Sequence, residues 1–334
     1  MSEIPASVRT SDAGVGGRRG VAAVSGGPAA ADRAPARSGE PPKAAPRTLV
    51  ISPVRNEAQY LQRTIDSMVA QTVRPTRWLI VDDGSTDATP QIATRAAATH
   101  EWIRHSRRPD RGARKVGGGV VEAFDDGLAQ FDLDAFDYVC KLDGDLELPP
   151  RYFELLYEKF DADPRLGTAS GKSWMRLGDR LVWERSGDDF SQGQTKLYRV
   201  PCFREIGGFV REVMWDGIDC HRCRMLGWRA ASFRDPELRF IHLRPMGSSF
   251  RSIYTGRLRW GYGQYFMGTH PLYALAIAVY RMFERPWVLG GLLLGAGYLG
   301  AWLRRRPRYE DPAFRRHLRR WQLARLCPRR GVTK

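Results

Sequence analysis

The chain alternates short apolar runs with amphipathic stretches, and this alternation limits the folds that it can adopt. Residues 48–52 and 78–81 are predicted buried β-strands, and the stretches after them, residues 57–71 and 89–99, have apolar residues at helical spacing. A third apolar run, residues 138–142, continues the pattern. Strands that alternate with helices at this spacing predict a parallel sheet with crossover helices. We therefore expect an α/β protein whose mostly parallel central sheet lies between helical layers.

Acidic residues follow two of these predicted strands. Asp82 and Asp83 end the second strand, and Asp143 and Asp145 follow the third. Asp is also common in ordinary turns, but carboxylates clustered at one sheet edge repel each other unless a cation joins them. Ligands bind at the carboxyl ends of strands in open parallel sheets, and carboxylate oxygens suit Mg²⁺ or Mn²⁺, which bridge diphosphates. The pattern favours a metal and diphosphate site.

Three segments in this order resemble the family 2 inverting glycosyltransferases of the GT-A fold: residues 48–57, 81–87 and 142–145. The resemblance covers about residues 47–245. It implies a nucleotide-sugar donor, a UDP-sugar before others, and a Mg²⁺ or Mn²⁺ cofactor. It also implies direct displacement at the anomeric carbon, with inversion of configuration.

The resemblance assigns the donor and metal sites to particular residues. Asp83 resembles the family's acid that contacts the nucleobase of the donor. Asp145 resembles the direct metal ligand, and Asp143 is its neighbour. His242 is a candidate for the diphosphate or metal side, or else a structural histidine. Lys115 is a candidate phosphate ligand, as are Arg114 and Lys141, although basic loop residues are usually solvated. The expected donor-binding residues are Pro53, Arg55, Asn56, Glu57, Asp82, Asp83, Lys115 and Asp143.

The resemblance places the general base near the start of a helix. Asp216 has the expected spacing, but Trp215 stands where the family has Glu, so Asp219 is a rival base, and Asp216 has an alternative role as a helix cap. Residues 257–260 partly resemble the Gln-x-x-Arg-Trp motif of processive synthases, without its Gln. Trp215 and Trp260 are therefore candidates for the acceptor side.

Charge distribution bears on the partners. The net charge is +16, and residues 304–334 contain twelve basic against two acidic residues. A basic segment beside an apolar stretch favours a membrane surface as partner, whereas a nucleic-acid reader would carry its basic patch on the folded core. We expect no nucleic-acid partner. The five cysteines are odd in number and irregular in spacing, which favours reduced thiols in the cytosol.

The composition divides the chain into four parts. Residues 1–46 lack large apolar side chains and are predicted to be a disordered leader, and residues 47–250 form the catalytic domain. Residues 251–303 are predicted acceptor-side helices that associate with the membrane, and residues 304–334 a basic tail. Nucleotide sugars are cytosolic, so a hairpin or an interfacial helix pair is expected rather than a single span.

These patterns together predict transfer of a sugar to a hydroxyl of a membrane-associated saccharide or lipid-linked acceptor. The reaction would occur at the cytoplasmic face of the cell membrane, in envelope or exopolysaccharide synthesis. Two alternatives stay open: a polyprenyl-phosphate sugar transferase, and a non-catalytic scaffold of the same fold.

Overall fold

The computed structural model describes residues 45–112, 115, 117–244, 252–284 and 286–326. Residues 1–44, which make up nearly all of the predicted leader, lie outside these ranges, as do Arg114 and the last eight residues of the predicted basic tail.

The larger sheet is mixed. Its strands are β1 (Thr48–Val54), β2 (Arg77–Asp82), β3 (Ile103–Arg107), β4 (Tyr138–Leu142), β6 (Leu166–Ser170), β9 (Thr195–Arg199) and β10 (Arg229–Ser232). Within the described residues the order is β10-β6-β9-β4-β1-β2-β3, and only β9 is antiparallel to its neighbours. The prediction of a mostly parallel central sheet is confirmed. Because β4 and β2 flank β1 in parallel, their carboxyl ends meet at one edge.

A smaller sheet lies beyond that edge. Its strands are β5 (Leu146–Glu147), β7 (Lys172–Leu177), β8 (Arg180–Trp183) and β11 (Arg239–His242). In the described chain their order is β5-β11-β7-β8. The register of β11 against β5 places His242 opposite Leu146, directly after Asp145.

Helices cover both faces of the larger sheet. They are α1 (Leu61–Val69), α2 (Thr89–Thr99), α3 (Gly118–Leu128), α4 (Tyr152–Ala162), α5 (Val200–Glu205) and α6 (Trp215–Met225). Successive side chains of a strand point to opposite faces. Val50 accordingly packs with apolar residues of α1, α2 and α4, and Leu49 and Ile51 pack with those of α3 and α5. The predicted helix–sheet–helix layering is thus observed.

Helices α7 (Ile253–Met267), α8 (Pro271–Arg281), α9 (Trp287–Leu303) and α10 (Pro312–Leu326) follow. Glycines let α7 and α9 approach closely: a Cβ on Gly261 would collide with the backbone of α9 at Leu294. The outward faces of α8 and α9 and the turn between them expose large apolar side chains, including Leu275 of α8 at 62% and Phe283 of the turn at 75%. No helix in the described ranges combines the length and the apolarity that a membrane span requires.

The predicted basic tail is partly a packed helix, which the sequence interpretation did not anticipate. Phe314 and Leu318 of α10 are fully buried in a cluster with Ile218 of α6 and Met267 of α7. These two apolar residues lie four positions apart on one helical face. The many basic residues around them conceal this apolar spacing in the sequence.

Candidate active site

One cavity of about 590 Å³ opens at the carboxyl ends of β1 and β4. The loop of residues 185–194, the first turns of α3 and α6, and helices α7–α9 complete its wall. The predicted site residues that line it are Pro53, Arg55, Glu57, Asp83, Lys115, Lys141, Asp143, Asp145, Trp215, Asp216, His242 and Trp260. Asn56, Asp82 and Asp219 do not line it.

Arg55 joins the ends of β1 and β2. Its guanidinium donates to the backbone carbonyl of Asp83 and pairs with Asp110 at 2.6 Å. The amide of Asp83 in turn donates to the carbonyl of Val54 at 2.8 Å. The carboxylate of Asp83 is held by Arg108 at 2.5 Å and by Arg111. A nucleobase bound beside Asp83 would therefore meet a carboxylate that Arg108 and Arg111 already orient.

Asn56 and Asp82 build the turn after β2 instead of facing the cavity. Asp82 is fully buried, accepts from the amide of Ser85 at 2.8 Å and pairs with Arg107 at 3.2 Å. Asn56 adopts a left-handed backbone (φ 54°), and its side-chain oxygen accepts from the amide of Thr86 at 2.8 Å. Turn formation thus uses both side chains, and neither residue lines the cavity, so their predicted role in donor binding stays a prediction.

Asp143 is held between the sheet and the loop of residues 185–194. Its carboxylate pairs with Lys141, whose ammonium also donates to the carbonyl of Gly193 at 2.8 Å. Burial raises the pKa of Asp143, and Lys141 opposes that effect.

Asp145 is 1% exposed, and two basic side chains lie against its carboxylate. Its Oδ2 pairs with Nε of Arg244 at 2.5 Å and lies 3.5 Å from Nε2 of His242. Burial alone would raise the pKa of Asp145, but His242 and Arg244 outweigh it and lower the pKa to about 2. Asp145 is therefore a carboxylate at neutral pH.

His242 lies between two carboxylates. Besides Asp145, its Nδ1 is 3.0 Å from Oε2 of Glu184. Burial would lower the pKa of His242, but the two carboxylates raise it to about 10, so the imidazole is cationic here. A histidine ligates a metal only in its neutral form. The geometry supports His242 as a charge partner of Asp145, and its predicted metal role stays a prediction.

The acidic residues fit a divalent cation in one respect. No group of three or more His, Cys, Asp or Glu within the described part of the chain is arranged to hold a metal. However, Oδ1 of Asp145 is buried and has no hydrogen-bond partner among the described residues. Such an orphaned carboxylate oxygen is what Mg²⁺ or Mn²⁺ binds, and these ions take further ligands from diphosphate and water. The residues present therefore fit a metal held mainly by Asp145.

Asp216 and Asp219 have different surroundings although both lie on α6. Asp216 lines the cavity, and a Cβ added to Gly193 would lie 2.7 Å from its Oδ2. Burial raises the pKa of Asp216. Asp219 is 1% exposed, accepts from Tyr198 and pairs with Lys196 at 2.5 Å. Because Asp219 is paired with Lys196 inside the core and does not line the cavity, the geometry favours Asp216 as the base.

The two candidate acceptor tryptophans differ in accessibility. Trp215 is largely buried, with its ring 4.7 Å from that of Phe209 and the ammonium of Lys141 5.2 Å from its centroid. Trp260 lies at the helical end of the cavity, where the guanidinium carbons of Arg257 and Arg281 lie 4.7 and 5.5 Å from its ring centroid.

Sequence reasoning missed two parts of this site. Arg244 pairs with both Asp145 and Glu57, at 2.5 and 2.6 Å, but it belongs to no motif. The loop of residues 185–194 also carries no motif. Its only local signal is a run of Gly, Ser and Gln, which is typical of any turn.

Comparisons with known proteins identify the family and the fold. The family model "Glycosyl transferase family 2" matches residues 49–215. Glycosyltransferase AglD of Haloferax volcanii is 31% identical over 138 residues, 39% of this chain and 20% of that protein. Chondroitin synthase of Escherichia coli is 27% identical over 188 residues, 56% of this chain and 24% of that protein. The chain thus spans about a quarter or less of these curated relatives.

A solved structure shares the fold over most of both chains. The mannosyltransferase PcManGT from Pyrobaculum calidifontis, in complex with GDP-Man and Mn²⁺, superposes with a TM-score of 0.51. The match covers 89% of this chain and 85% of PcManGT, at 21% identity. At that identity the similarity establishes the fold, including the predicted GT-A class.

Proposed function

The chain belongs to the family 2 glycosyltransferases, and from that membership and the cavity we propose that it transfers a sugar from a nucleotide-diphospho-sugar to an acceptor hydroxyl. One observation carries the proposal: Asp83, Asp145 and Asp216, from three separate segments, line one cavity. In this arrangement Asp83 would contact the nucleobase, Asp145 would bind a metal, and Asp216 would deprotonate the acceptor hydroxyl. Curated relatives named as synthases of chondroitin support a role in polysaccharide synthesis.

The donor would lie along the carboxyl ends of β1, β2 and β4. Asp83 and Arg55 would contact the nucleoside, and Lys115, which lines the cavity and pairs with Glu122, would lie near the phosphates. Mg²⁺ or Mn²⁺ bound by Asp145 would neutralise the diphosphate as a Lewis acid. The complex of PcManGT with GDP-Man and Mn²⁺ supports a donor and a metal of these classes. We favour a UDP-sugar, with a GDP-sugar as the next donor to test.

Asp216 would act as the general base. Its carboxylate takes the proton of the acceptor hydroxyl as that oxygen attacks the anomeric carbon. The bond from that carbon to the diphosphate oxygen breaks, and the diphosphate leaves with the electron pair. Direct displacement inverts the configuration. Arg244 and His242, which border Asp145, would keep its carboxylate ionised and oriented throughout the reaction.

The acceptor would enter between α7, α8 and α9, where Trp260, Ile277, Tyr280 and Leu294 form an apolar wall. The outward faces of α8 and α9 expose apolar side chains, and Arg304, Arg305 and Arg306 follow α9. This combination supports docking at an anionic membrane surface, and hence a membrane-associated saccharide or lipid-linked acceptor. Because nucleotide sugars are cytosolic, we place the enzyme at the cytoplasmic face.

A polyprenyl phosphate is a second candidate acceptor. Arg259 lines the same end of the cavity, is partly buried, and forms no ion pair with any described residue. Burial lowers its pKa. A guanidinium in an apolar wall is stabilised by an anionic ligand, which a lipid phosphate would provide.

The proposal is tested by measuring nucleotide diphosphate release. UDP-, GDP- and dTDP-sugars would be supplied with Mn²⁺ and with vesicles that contain polyprenyl phosphate or a lipid-linked saccharide. We expect release from one donor class, reduced about 10²-fold or more in Asp216→Asn. Asp179→Asn, in the exposed turn after β7, is the matched control and should keep full activity. Equal turnover by Asp216→Asn would rule out this base, and no turnover of any donor would favour the scaffold alternative.

A further inference from the structure

The loop of residues 185–194 is fastened to α10, a helix outside the segment that the family model matches. We infer that α10 positions the catalytic wall, with Trp321 and Arg325 holding this loop against Asp216. The inference rests on the proposed function, in which Asp216 is the base.

The far part of the loop touches the reacting groups. Gly193 lies so close to Asp216 that an added Cβ would be 2.7 Å from the carboxylate oxygen Oδ2. The carbonyl of Gly193 also accepts from Lys141 at 2.8 Å, and Lys141 pairs with Asp143. A displacement of the loop at Gly193 would therefore disturb both Asp216 and, through Lys141, Asp143.

The middle of the loop is held by α10. Arg325 pairs with the carboxylate of Asp189, and the ring of Trp321 meets that of Phe190 edge to face, with centroids 5.9 Å apart. Arg224 of α6 lies between them, 4.4 Å from the Phe190 centroid and 5.1 Å from that of Trp321. Its guanidinium also donates to the carbonyl of Asp189. Two side chains of α10 thus bind the loop three or four residues before Gly193.

Helix α10 is a firm support for these contacts. Phe314 and Leu318 are fully buried and pack with Ile218, which lies on α6 two residues after Asp216. His221, one turn further along α6, packs its ring 4.7 Å from that of Trp321. The same helix therefore braces α6 and the loop, the two elements that meet at Asp216.

The start of the loop has its own anchor, independent of α10. The ammonium of Lys172 donates to the carbonyl of Gly187 and pairs with Asp188, both at 2.9 Å, and it also donates to Ser232 at 2.8 Å. Further along the loop, Ser191 bonds Thr168 at 2.9 Å and the amide of Gln192 donates to Ser170 at 2.8 Å. Removal of the α10 contacts should therefore loosen residues 189 and 190 without unfolding the whole loop. The nucleotide end of the cavity, built on β1 and β2, should be unaffected.

The test uses the full chain and two readouts. Hydrogen exchange by mass spectrometry reports on residues 186–194, and nucleotide diphosphate release reports on turnover. In Trp321→Ala and Arg325→Ala we expect the amides of residues 189 and 190 to exchange about tenfold faster, because these two residues lose their contacts with α10. We expect kcat to fall about tenfold through misplacement of Asp216. The Kd for the nucleotide should change by less than about twofold, because its site is not touched.

Two further variants control for general effects on the helix. Arg316→Ala removes an exposed arginine on the same helix and should change neither readout. Trp321→Phe keeps an aromatic ring against Phe190 and should restore most of the turnover.

Three outcomes would overturn the inference. These are unchanged exchange in the loop, equal acceleration across β1 and β4, or faster loop exchange with full turnover. Failure of the unmodified protein to use any nucleotide sugar would instead refute the proposed function. In that case the exchange data alone still decide whether α10 holds the loop.

Discussion

Asp216 and Asp219 show how one helical turn separates a reactive acid from a structural one. Asp216 faces the cavity, whereas the carboxylate of Asp219 is enclosed with Lys196 and Tyr198. The ammonium of Lys196 also donates to the backbone carbonyl of Asp216 at 2.7 Å. The buried pair thus supports the backbone of the residue that we propose as the base.

Replacement of Asp219 should mainly lower stability, whereas replacement of Asp216 should mainly lower turnover. Asp219→Asn leaves the charge of Lys196 buried without its partner, and we expect the free energy of unfolding to fall by about 3–5 kcal/mol. Asp216→Asn should leave stability within about 1 kcal/mol while lowering turnover about 10²-fold or more, because it removes only a proton acceptor. Urea unfolding followed by circular dichroism measures the first quantity. A stable but inactive Asp219→Asn protein would reverse the assignment of the base.

The raised pKa of Asp216 also predicts the pH dependence of turnover. Burial disfavours the ionised form, so the pKa lies above the usual value of about 3.9 for Asp. A general base works only when deprotonated, so kcat/KM should fall as the pH falls through this raised pKa. A pH profile from 4 to 8 at constant ionic strength measures it. An acid limb at or below about pH 4 would contradict the role of Asp216.

At the scale of elements, the hairpin of α8 and α9 differs from the rest of the surface. It exposes large apolar side chains, whereas most such residues elsewhere are in the core. Exposed apolar area of this kind marks a binding surface. The hairpin also contributes Ile277, Tyr280 and Leu294 to the cavity wall, so a bound membrane would lie beside the acceptor entrance.

This surface should bind anionic vesicles. We expect Leu275→Glu and Phe283→Glu each to weaken vesicle binding several-fold, because each places a negative charge on the face that meets the lipid. Co-sedimentation with vesicles of phosphatidylglycerol measures it, and binding should also weaken at high salt. Leu181→Glu is the matched control, since Leu181 is exposed on β8 of the smaller sheet, away from α8 and α9 in the sequence. Equal binding by all four proteins would exclude this surface.

Elements with a strong local pattern could be predicted, and those defined by distant contacts could not. The strand of residues 138–142 and the acids after it have an apolar run and a turn as local signals. Strand β9 is short and mixed in composition, and nothing local specifies that it runs antiparallel to β4. The sequence does not predict that α10 is packed, because its many arginines obscure the spacing of Phe314 and Leu318.

At the scale of the whole molecule, the sequence could predict the acids of the site but not their partners. Asp83, Asp145 and Asp216 follow from motifs. Arg244 is 187 residues from its partner Glu57, and only the folded sheet edge brings them together. The same holds for Asn56 and Asp82, whose hydrogen bonds to the amides of Thr86 and Ser85 in the turn after β2 only the structure shows.

The central claim is that the cavity binds a nucleotide diphosphate through a metal held by Asp145. Titration calorimetry of the unmodified protein and Asp145→Ala with UDP, GDP and dTDP, each with and without Mn²⁺, tests it most directly. Asp179→Ala is the matched control. We predict that Mn²⁺ strengthens the binding of one nucleotide about tenfold or more in the unmodified and control proteins, and has no such effect in Asp145→Ala. Absence of binding by folded protein, or Mn²⁺-dependent binding that persists in Asp145→Ala, would contradict it.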